Sequence, residues 1–508
     1  MPSEPLKRIL VTGGAGYIGS HVIHVLQQTR RFKIIAIDNY HNSPPAVYDR
    51  LTKIARDALP ADATEQDKDS TEIDTYKVDL INAEEVRAVF EKYGKGGIWG
   101  VIHIAALKSV GESTQIPITY YHNNVAATIF LLEIMSDFEC TRFLYSSSAT
   151  VYGTPPHIPI PESTRLHADS PYGRSKVMSE FMLEDLCHAE PSRWRAISLR
   201  YFNPAGAHPS GFIGEDPQGR PGNLLPLLAQ IAGGRIKDPE VKVFGNDYPT
   251  PDGTCVRDYL HVMDLAKGHL IALDALAPES KVFDNCPDEA RYKAYNLGSG
   301  RGFSVLQMIE AMRKVSGFDF KYSIIGRRRG DVPDLTADPT LAEKELGFKT
   351  EYDLETMCRD LWNWQAKNPQ GYDTQESQVA PLRLQQSQLS FKPLSIQSLN
   401  MTHDYVGDGF WIRVGSKVHT AMYVSVTRTD HNAGTSQWHA QGKSGVTWHH
   451  LTGNFSDSHY ARGGWELVVI KDVNNTRRKG WYLQPHGKSY YITFNGWDDV
   501  KLEAARKA

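Results

Sequence analysis

Tyr172 and Lys176 stand four residues apart in Ser170-Pro171-Tyr172-Gly173-Arg174-Ser175-Lys176, downstream of the serine run Ser146-Ser147-Ser148. Positions four apart share one face of a helix, so phenol and ammonium would point together. An ordinary tyrosine is a poor base near neutral pH. A close positive charge favours the phenolate, which then accepts a proton from a bound hydroxyl, and Ser148 is placed to hold or relay that proton. Taken alone, Tyr-x-x-x-Lys is as often a surface pair. A second constellation gives it meaning. Gly13, Gly16 and Gly19 sit three apart in Val11-Thr12-Gly13-Gly14-Ala15-Gly16-Tyr17-Ile18-Gly19-Ser20. The first glycine permits a sharp turn, the second a close approach to a diphosphate, the third tight packing of helix on strand. The N–H groups of the new helix face the phosphates. Asp38 ends a second apolar run, residues 33–37, about 20 residues on. A carboxylate there accepts both hydroxyls of an adenosine ribose and repels a 2′-phosphate. The two constellations together point to a base beside an oxidised nicotinamide cofactor, NAD in preference to NADP.

Such groups need a scaffold, and the surrounding pattern supplies one. Ile9-Leu10-Val11 reads as a strand buried on both faces, followed by Ile18, Val22, Ile23 and Leu26 at helical spacing. Val101-Ile102-His103-Ile104, Phe143-Leu144-Tyr145 and Ala196-Ile197-Ser198-Leu199 read as further strands alternating with helices. The alternation predicts an α/β fold: a doubly wound, Rossmann-like parallel sheet that binds its ligand at the carboxyl ends of the strands. Residues 55–75, rich in Asp, Glu, Ala and Thr, read as a surface excursion between strands. Past Asn203 the pattern loosens into Gly- and Pro-rich loops with short helices, such as Pro217-Gln218-Gly219-Arg220-Pro221-Gly222. Segments of this kind fold over a nucleotide site as a substrate lobe. The expected organisation is a cofactor domain over residues 1–200, a smaller substrate lobe with closing helices over 201–372, a Gln/Ser-rich linker over 373–397 and a β-rich module over 398–508.

At 508 residues with 41% hydrophobic content, the chain can bury a large core in two or three domains. A net charge of −3 gives no electrostatic footprint for nucleic acid or an anionic membrane. The N-terminus lacks a signal-peptide pattern and no apolar run approaches spanning length, so a cytoplasmic location is expected. The five cysteines are scattered, never Cys-x-x-Cys, which suits a reducing compartment. The C-terminal module holds six of the ten tryptophans, which serve either as core volume or as platforms for sugar rings. Its histidines, including His449-His450, show no ligand spacing, and no metal is expected.

The glycine turn, Asp38-Asn39 and Ser146-Ser147-Ser148-Ala149-Thr150-Val151-Tyr152-Gly153 together resemble the extended short-chain dehydrogenase/reductase family. Four stretches resemble, more narrowly, its UDP-galactose 4-epimerases. They are Ala106-Leu107-Lys108-Ser109-Val110-Gly111-Glu112-Ser113, Arg200-Tyr201-Phe202-Asn203-Pro204-Ala205-Gly206-Ala207-His208-Pro209, Asn246-Asp247-Tyr248-Pro249-Thr250 and Gly253-Thr254-Cys255-Val256-Arg257-Asp258-Tyr259-Leu260-His261-Val262. The resemblance covers about residues 6–372 and leaves the C-terminal module unassigned.

What the resemblance implies is reversible 4-epimerisation of UDP-glucose and UDP-galactose. In that cycle Tyr172 takes the proton from the sugar 4-hydroxyl while hydride passes to NAD+. The 4-keto sugar then turns and takes the hydride back on its other face. By the same resemblance Ser148 bonds the reacting hydroxyl, and Lys176 holds the nicotinamide ribose and tunes Tyr172. Gly13, Gly16, Tyr17, Ile18, Asp38, Asn39, Asn42, Asp79, Leu80, Ala105, Lys108 and Asn123 would line NAD, together with Ser148, Tyr172 and Lys176. Lys108, Phe202, Asn203, Asn223, Leu224, Phe244, Arg257, Arg328 and Asp331 would hold the UDP-sugar, the arginines suiting a diphosphate. Sister dehydratases carry an acidic pair after the catalytic serine or threonine. Ala149 and Thr150 stand there in this chain, so epimerisation is expected. Leu335 takes a position where a bulky aromatic or a small residue decides access at the sugar 2-position, which leaves UDP-N-acetylhexosamines open as substrates. The resemblance further implies a homodimer paired through two helices of the sheet domain. The alternative class is a UDP-sugar sensor with the C-terminal module, which could also contact glycans, as its output. The trio Ser148, Tyr172 and Lys176 favours the enzyme, because a sensor has no use for a base.

Overall fold

The computed structural model describes residues 5–217, 219–236, 239–286, 289–328 and 331–372, together with the backbone of eight strands between 410 and 504. The chain divides into two compact units, Met1–Leu382 and Arg383–Ala508. The expected linker at 373–397 lies outside the described residues.

Among the described residues, thirteen strands form the first unit's sheets: β1 Lys7–Thr12, β2 Phe32–Asp38, β3 Ile73–Lys77, β4 Gly100–His103, β5 Arg142–Ser148, β6 Arg195–Tyr201, β7 Asn203–Ala205, β8 Val241–Phe244, β9 Val256–His261, β10 Tyr292–Leu297, β11 Gly302–Ser304, β12 Tyr322–Ile325 and β13 Asp334–Leu335. Seven of them make one parallel sheet in the order β10-β6-β5-β4-β1-β2-β3. Alternate residues enter different cores. Ile9, Val11, Ile34 and Ala36 pack on one face, Leu10, Ile35, Ile37 and Val101 on the other. That double burial is why these strands read as unbroken apolar runs. Successive strands run outward from β1 in one direction and, from β4, in the other. The crevice beyond the carboxyl ends of β1 and β4 is therefore the place for a ligand.

Two features depart from the sequence reading. Residues 55–75 are more than an excursion. They hold the helix Glu65–Thr71, fixed by a capping box in which Thr64 and Asp67 bond each other's backbone N–H groups, and the start of β3. β3 is an edge strand with no fully buried residue, so it lacks the apolar signal of its neighbours. Residues 292–297, placed by sequence in the substrate lobe, return to the large sheet as β10 beside β6.

The smaller lobe is built on β9, which pairs β11 antiparallel and both β13 and β7 in parallel; β8 and β12 form a separate parallel pair. All five cysteines are free thiols, four of them buried. Among the described residues no helix is long and apolar enough to cross a membrane. In the second unit five strands form an antiparallel sheet in the order Thr447–Ser456, Thr435–Ser444, Ala421–Arg428, Phe410–Val414, Leu502–Ala504. Leu467–Ile470, Gly480–Leu483 and Tyr490–Thr493 form another. The tryptophan side chains of this unit lie outside the described residues.

Candidate active site

The glycine turn is shaped by close approach. Gly13 has φ +70°, and a Cβ on it would stand 2.9 Å from the backbone N of Ala105. At Gly19 a Cβ would meet the Gly13 carbonyl oxygen at 2.1 Å, so only glycine lets the helix Tyr17–Gln28 start this close to β1. Asp38 ends β2 almost fully buried. Its carboxylate accepts the Ala15 N–H at 3.1 Å and the Tyr40 N–H at 2.8 Å. Burial pushes its pKa up and the two amides pull it back. Around it, Asn39 donates to Asp79 Oδ2 at 3.2 Å, Leu80 is buried, Ile18 is half-buried and Asn42 is exposed. Asn123 donates to Asn124 Oδ1 at 3.1 Å. Tyr17 reaches away from the turn and donates to the Gly206 carbonyl at 2.7 Å, tying the turn to the substrate lobe. The cradle a Cβ would fill and the inward carboxylate fit an adenine dinucleotide with a free ribose 2′-hydroxyl.

Two residues that the sequence did not single out hold this cradle. Thr12 Oγ1 accepts the N–H groups of Ile104 and Ala105, both at 3.1 Å, which fixes Ala105 opposite Gly13. His103 bonds Thr12 through Nδ1 at 2.8 Å and Thr128 through Nε2 at 3.0 Å. Burial, aided by the Lys176 charge, lowers the His103 pKa to about 3, so the ring is neutral. A third, Asn124, lies on a turn of π-helix, His122–Ala126. It clasps the backbone of Leu107 and donates to Ser175 Oγ at 3.1 Å on the helix that carries the base. No local pattern marks these residues; their partners come from other elements.

Ser148 is the last residue of β5, and its hydroxyl oxygen accepts from Thr150 N at 3.2 Å and Thr150 Oγ1 at 3.0 Å. Thr150, where a dehydratase would need an acid, thus serves as a prop for Ser148. Tyr172 and Lys176 lie on the helix Pro171–Ala189, which Pro171 opens and Ser170 caps by accepting the Gly173 N–H at 3.1 Å. A Cβ on Gly173 would come within 2.7 Å of the Thr150 carbonyl oxygen, so helix and serine turn pack in direct contact.

Lys176 is 2% exposed, its ammonium donating to the Ser146 carbonyl at 2.6 Å and lying 5.9 Å from the centre of the Tyr172 ring. Burial lowers its pKa to about 7, with Glu180 acting in the opposite direction. Below this helix, buried Arg200 pairs with buried Glu180 at 2.6 Å, and Ser147 bonds the same carboxylate. The protein alone raises the Tyr172 pKa, because burial of the phenolate outweighs the Ser148 hydroxyl and a positive charge that lower it. That charge belongs to Lys108. Lys108 is half-exposed and pairs with Glu215 at 3.0 Å.

The predicted UDP-sugar residues come from several elements. Arg257, on β9, donates to the carbonyls of Val256 and Val332, both at 2.7 Å, and its other amino group stands 3.8 Å from Asp331. Arg328 donates to Asp331 at 2.8 Å and lies 5.2 Å from the Phe244 ring centre. Leu335 is in register with Arg257 and packs with Ala149 and Phe202, between the serine turn and the lobe. Asn203 begins β7. Asn223 stands exposed at the start of the helix Leu224–Ala232, making no capping bond with its side chain, and Leu224 packs on the main core. Phe244, Arg257, Arg328, Asp331 and Leu335 are thus brought together, with Asn223 and Leu224 supplied by a separate helix. Among the described residues no group of His, Cys, Asp or Glu is placed to hold a metal ion.

Comparison with known proteins shows the family. A model of the NAD dependent epimerase/dehydratase family matches residues 9–298. The UDP-glucose 4-epimerase of Dictyostelium discoideum is 46% identical over 370 residues, 73% of this chain and 99% of its own. The human UDP-glucose 4-epimerase is 44% identical over 373 residues, 73% of this chain and 99% of its own. The crystal structure of UDP-glucose 4-epimerase from Bifidobacterium longum in complex with NAD+ and UDP superposes with a TM-score of 0.64 at 43% identity, covering 72% of this chain and all of that one. The chain belongs to the NAD dependent epimerase/dehydratase family, in the branch whose curated members bear the name UDP-glucose 4-epimerase.

Proposed function

We propose that this protein interconverts UDP-glucose and UDP-galactose at C4, with NAD resident in the crevice between β1 and β4. What supports the reading is that Tyr172 and Lys176 share a helix whose first turn packs on the turn after Ser148, in a chain about 45% identical to proteins named for this activity. Bound NAD+ supplies the acceptor, and later the donor, of a hydride at the sugar carbon. Tyr172 Oη takes the proton of the 4-hydroxyl and returns it to the inverted carbon's oxygen. Ser148 Oγ, steadied by Thr150, holds that oxygen. Lys176, fixed on the Ser146 carbonyl, holds the nicotinamide ribose, while Gly13, Gly16 and Asp38 seat the other half of the dinucleotide. Arg257 and Arg328 bind the diphosphate of the UDP-sugar, and Leu335 bounds the sugar pocket. As the test, purified protein given UDP-galactose should form UDP-glucose without added reductant. No interconversion, from protein shown to contain NAD, would favour a UDP-sugar sensor instead.

The same reading includes a cytoplasmic homodimer. Supporting the pairing, a largely apolar groove between the helices Ala127–Asp137 and Pro171–Ala189 is lined by Ile129, Leu132, Met182 and Trp194, and Met178 and Phe181 are exposed beside it. A monomer in light scattering at micromolar protein would refute the pairing. For residues 398–508 we propose an independent module, with glycan contact through its tryptophans as the role to test on a glycan column.

A further inference from the structure

The helix Pro171–Ala189 buries Gly173, Ser175, Lys176, Ser179 and Glu180 before it reaches Leu183. These residues are small or polar. With only the half-buried Val177 beside them, they offer little apolar surface to fix how the helix is rotated at the end that carries Tyr172. Polar contacts hold that end instead. Tyr172, Lys176 and Glu180 follow one another at intervals of four along a single stripe. Lys176 grips the Ser146 carbonyl at 2.6 Å. One turn on, Glu180 is 1% exposed and no step of the proposed reaction uses it. Ser147 and Arg200, which face each other across β5 and β6, both bond its carboxylate. Arg200 donates through Nη2 to Oε2 at 2.6 Å and through Nε to both oxygens at 3.1 and 3.2 Å. Its remaining amino group, Nη1, donates at 2.9 Å to the hydroxyl of Tyr152, on the turn Ala149–Tyr152 that follows Ser148. Tyr152 in turn donates to Asn296 Oδ1 on β10 at 2.6 Å. One buried carboxylate thus joins the helix of the base to the strand of Ser148 and to the turn beyond it.

Stability alone does not account for this pair. The attraction between the two ions roughly offsets the cost of taking both out of water, and apolar residues of the same volume would hold the fold as well. What a forked guanidinium on a carboxylate adds is direction. We propose that Glu180 is a positioning residue for the reaction: clasped by Ser147 and Arg200, it sets the rotation and register of its helix on β5, and with them the place of Tyr172 against Ser148. The proposal rests on the reading of Ser148, Tyr172 and Lys176 given above. Glu180 lies about 12 Å along the helix from Tyr172, so a roll or slide released at the clasp is carried to the phenol. A misplacement of about 1 Å at the reacting atoms costs up to roughly a hundredfold in rate.

Glu180→Gln alone strands the Arg200 charge and tests folding as much as placement. The decisive variant is therefore the double one, Glu180→Leu with Arg200→Met, which removes both charges and keeps the volume. We expect its Tm to stay within about 4 °C of the parent. Its NAD content, and its KM for UDP-galactose within about twofold, should be retained while kcat falls about ten- to a hundredfold. Ser147→Ala, which strands no charge, should lower kcat about threefold or more with the same unchanged KM. Crystal structures of the NAD-loaded parent and double variant should show Tyr172 Oη displaced from Ser148 Oγ by about 0.5 Å or more. That comparison needs no turnover, so it tests the clasp even if the parent fails to convert UDP-galactose, the result that would refute the epimerase reading instead. A parental kcat in the double variant, or Tyr172 and Ser148 in their parental places, would overturn the proposal. A loss of kcat that only tracks a loss of Tm and NAD in both variants would make Glu180 merely structural and overturn it as well.

Discussion

Lys176→Met separates what the buried ammonium does for catalysis from what it costs the fold. Lys176 is 2% exposed and its pKa falls from 10.5 to about 7, with burial as the main cause. At about 1.4 kcal/mol per pH unit, keeping the charge in the folded state costs on the order of 5 kcal/mol. The sign follows from proton counting. Between about pH 7 and 10.5 the unfolded lysine holds a proton that the folded one has lost, so stability rises with pH across that window. Below pH 7 both states are charged and the full cost is present; above 10.5 both are neutral and it is gone. Methionine carries no charge and has similar length, but it leaves the Ser146 carbonyl without its 2.6 Å donor, a loss of about 1–3 kcal/mol. NAD-free Lys176→Met should therefore be more stable than the parent by about 2–4 kcal/mol at pH 6 and less stable by about 1–3 kcal/mol near pH 10.5. The difference should change sign between about pH 8 and 10. Thermal or urea unfolding of both proteins at several pH values measures it, alongside an expected collapse of epimerase turnover. A stability difference that is flat from pH 6 to 10 would refute the reasoning, because it would mean that Lys176 is charged or neutral in both states throughout.

Tyr172→Phe removes the proton acceptor and leaves both nucleotide sites in place, so turnover should fall roughly a hundredfold or more; near-native rates would reassign the base. Asp38→Ala removes the ribose acceptor and also frees the Ala15 and Tyr40 N–H groups that shape the turn. Less NAD should be released when the purified variant is denatured. Truncation directly after Tyr372 should leave epimerase activity largely intact, since every proposed cofactor and sugar residue precedes it and the Tyr372 bonds to Gly214 and Asp216 are kept. An insoluble or inactive truncate would show that the C-terminal unit supports the site.

What the sequence determined by itself is whatever physics writes locally. Gly13 and Gly19 are legible because a Cβ at either would strike backbone a few ångströms away, which leaves no other residue type. The Tyr172/Lys176 spacing is legible because a helix places such positions on one face, and β1, β2 and β5 because strands buried on both sides carry short unbroken apolar runs, such as Ile9-Leu10-Val11 and Phe143-Leu144-Tyr145. β3 escaped this reading because an edge strand carries little apolar signal, and β10 because pairing with a strand almost a hundred residues earlier leaves no local mark. The electrostatics of the base belonged to the tertiary structure alone. How far burial raises the Tyr172 pKa against the Lys108 charge, and that Glu215 pairs with Lys108, depend on groups 43 and 64 positions from Tyr172, related only by the folded packing. Local geometry chooses the residue types; the field they feel comes from non-local burial, where removing water makes each charge count more.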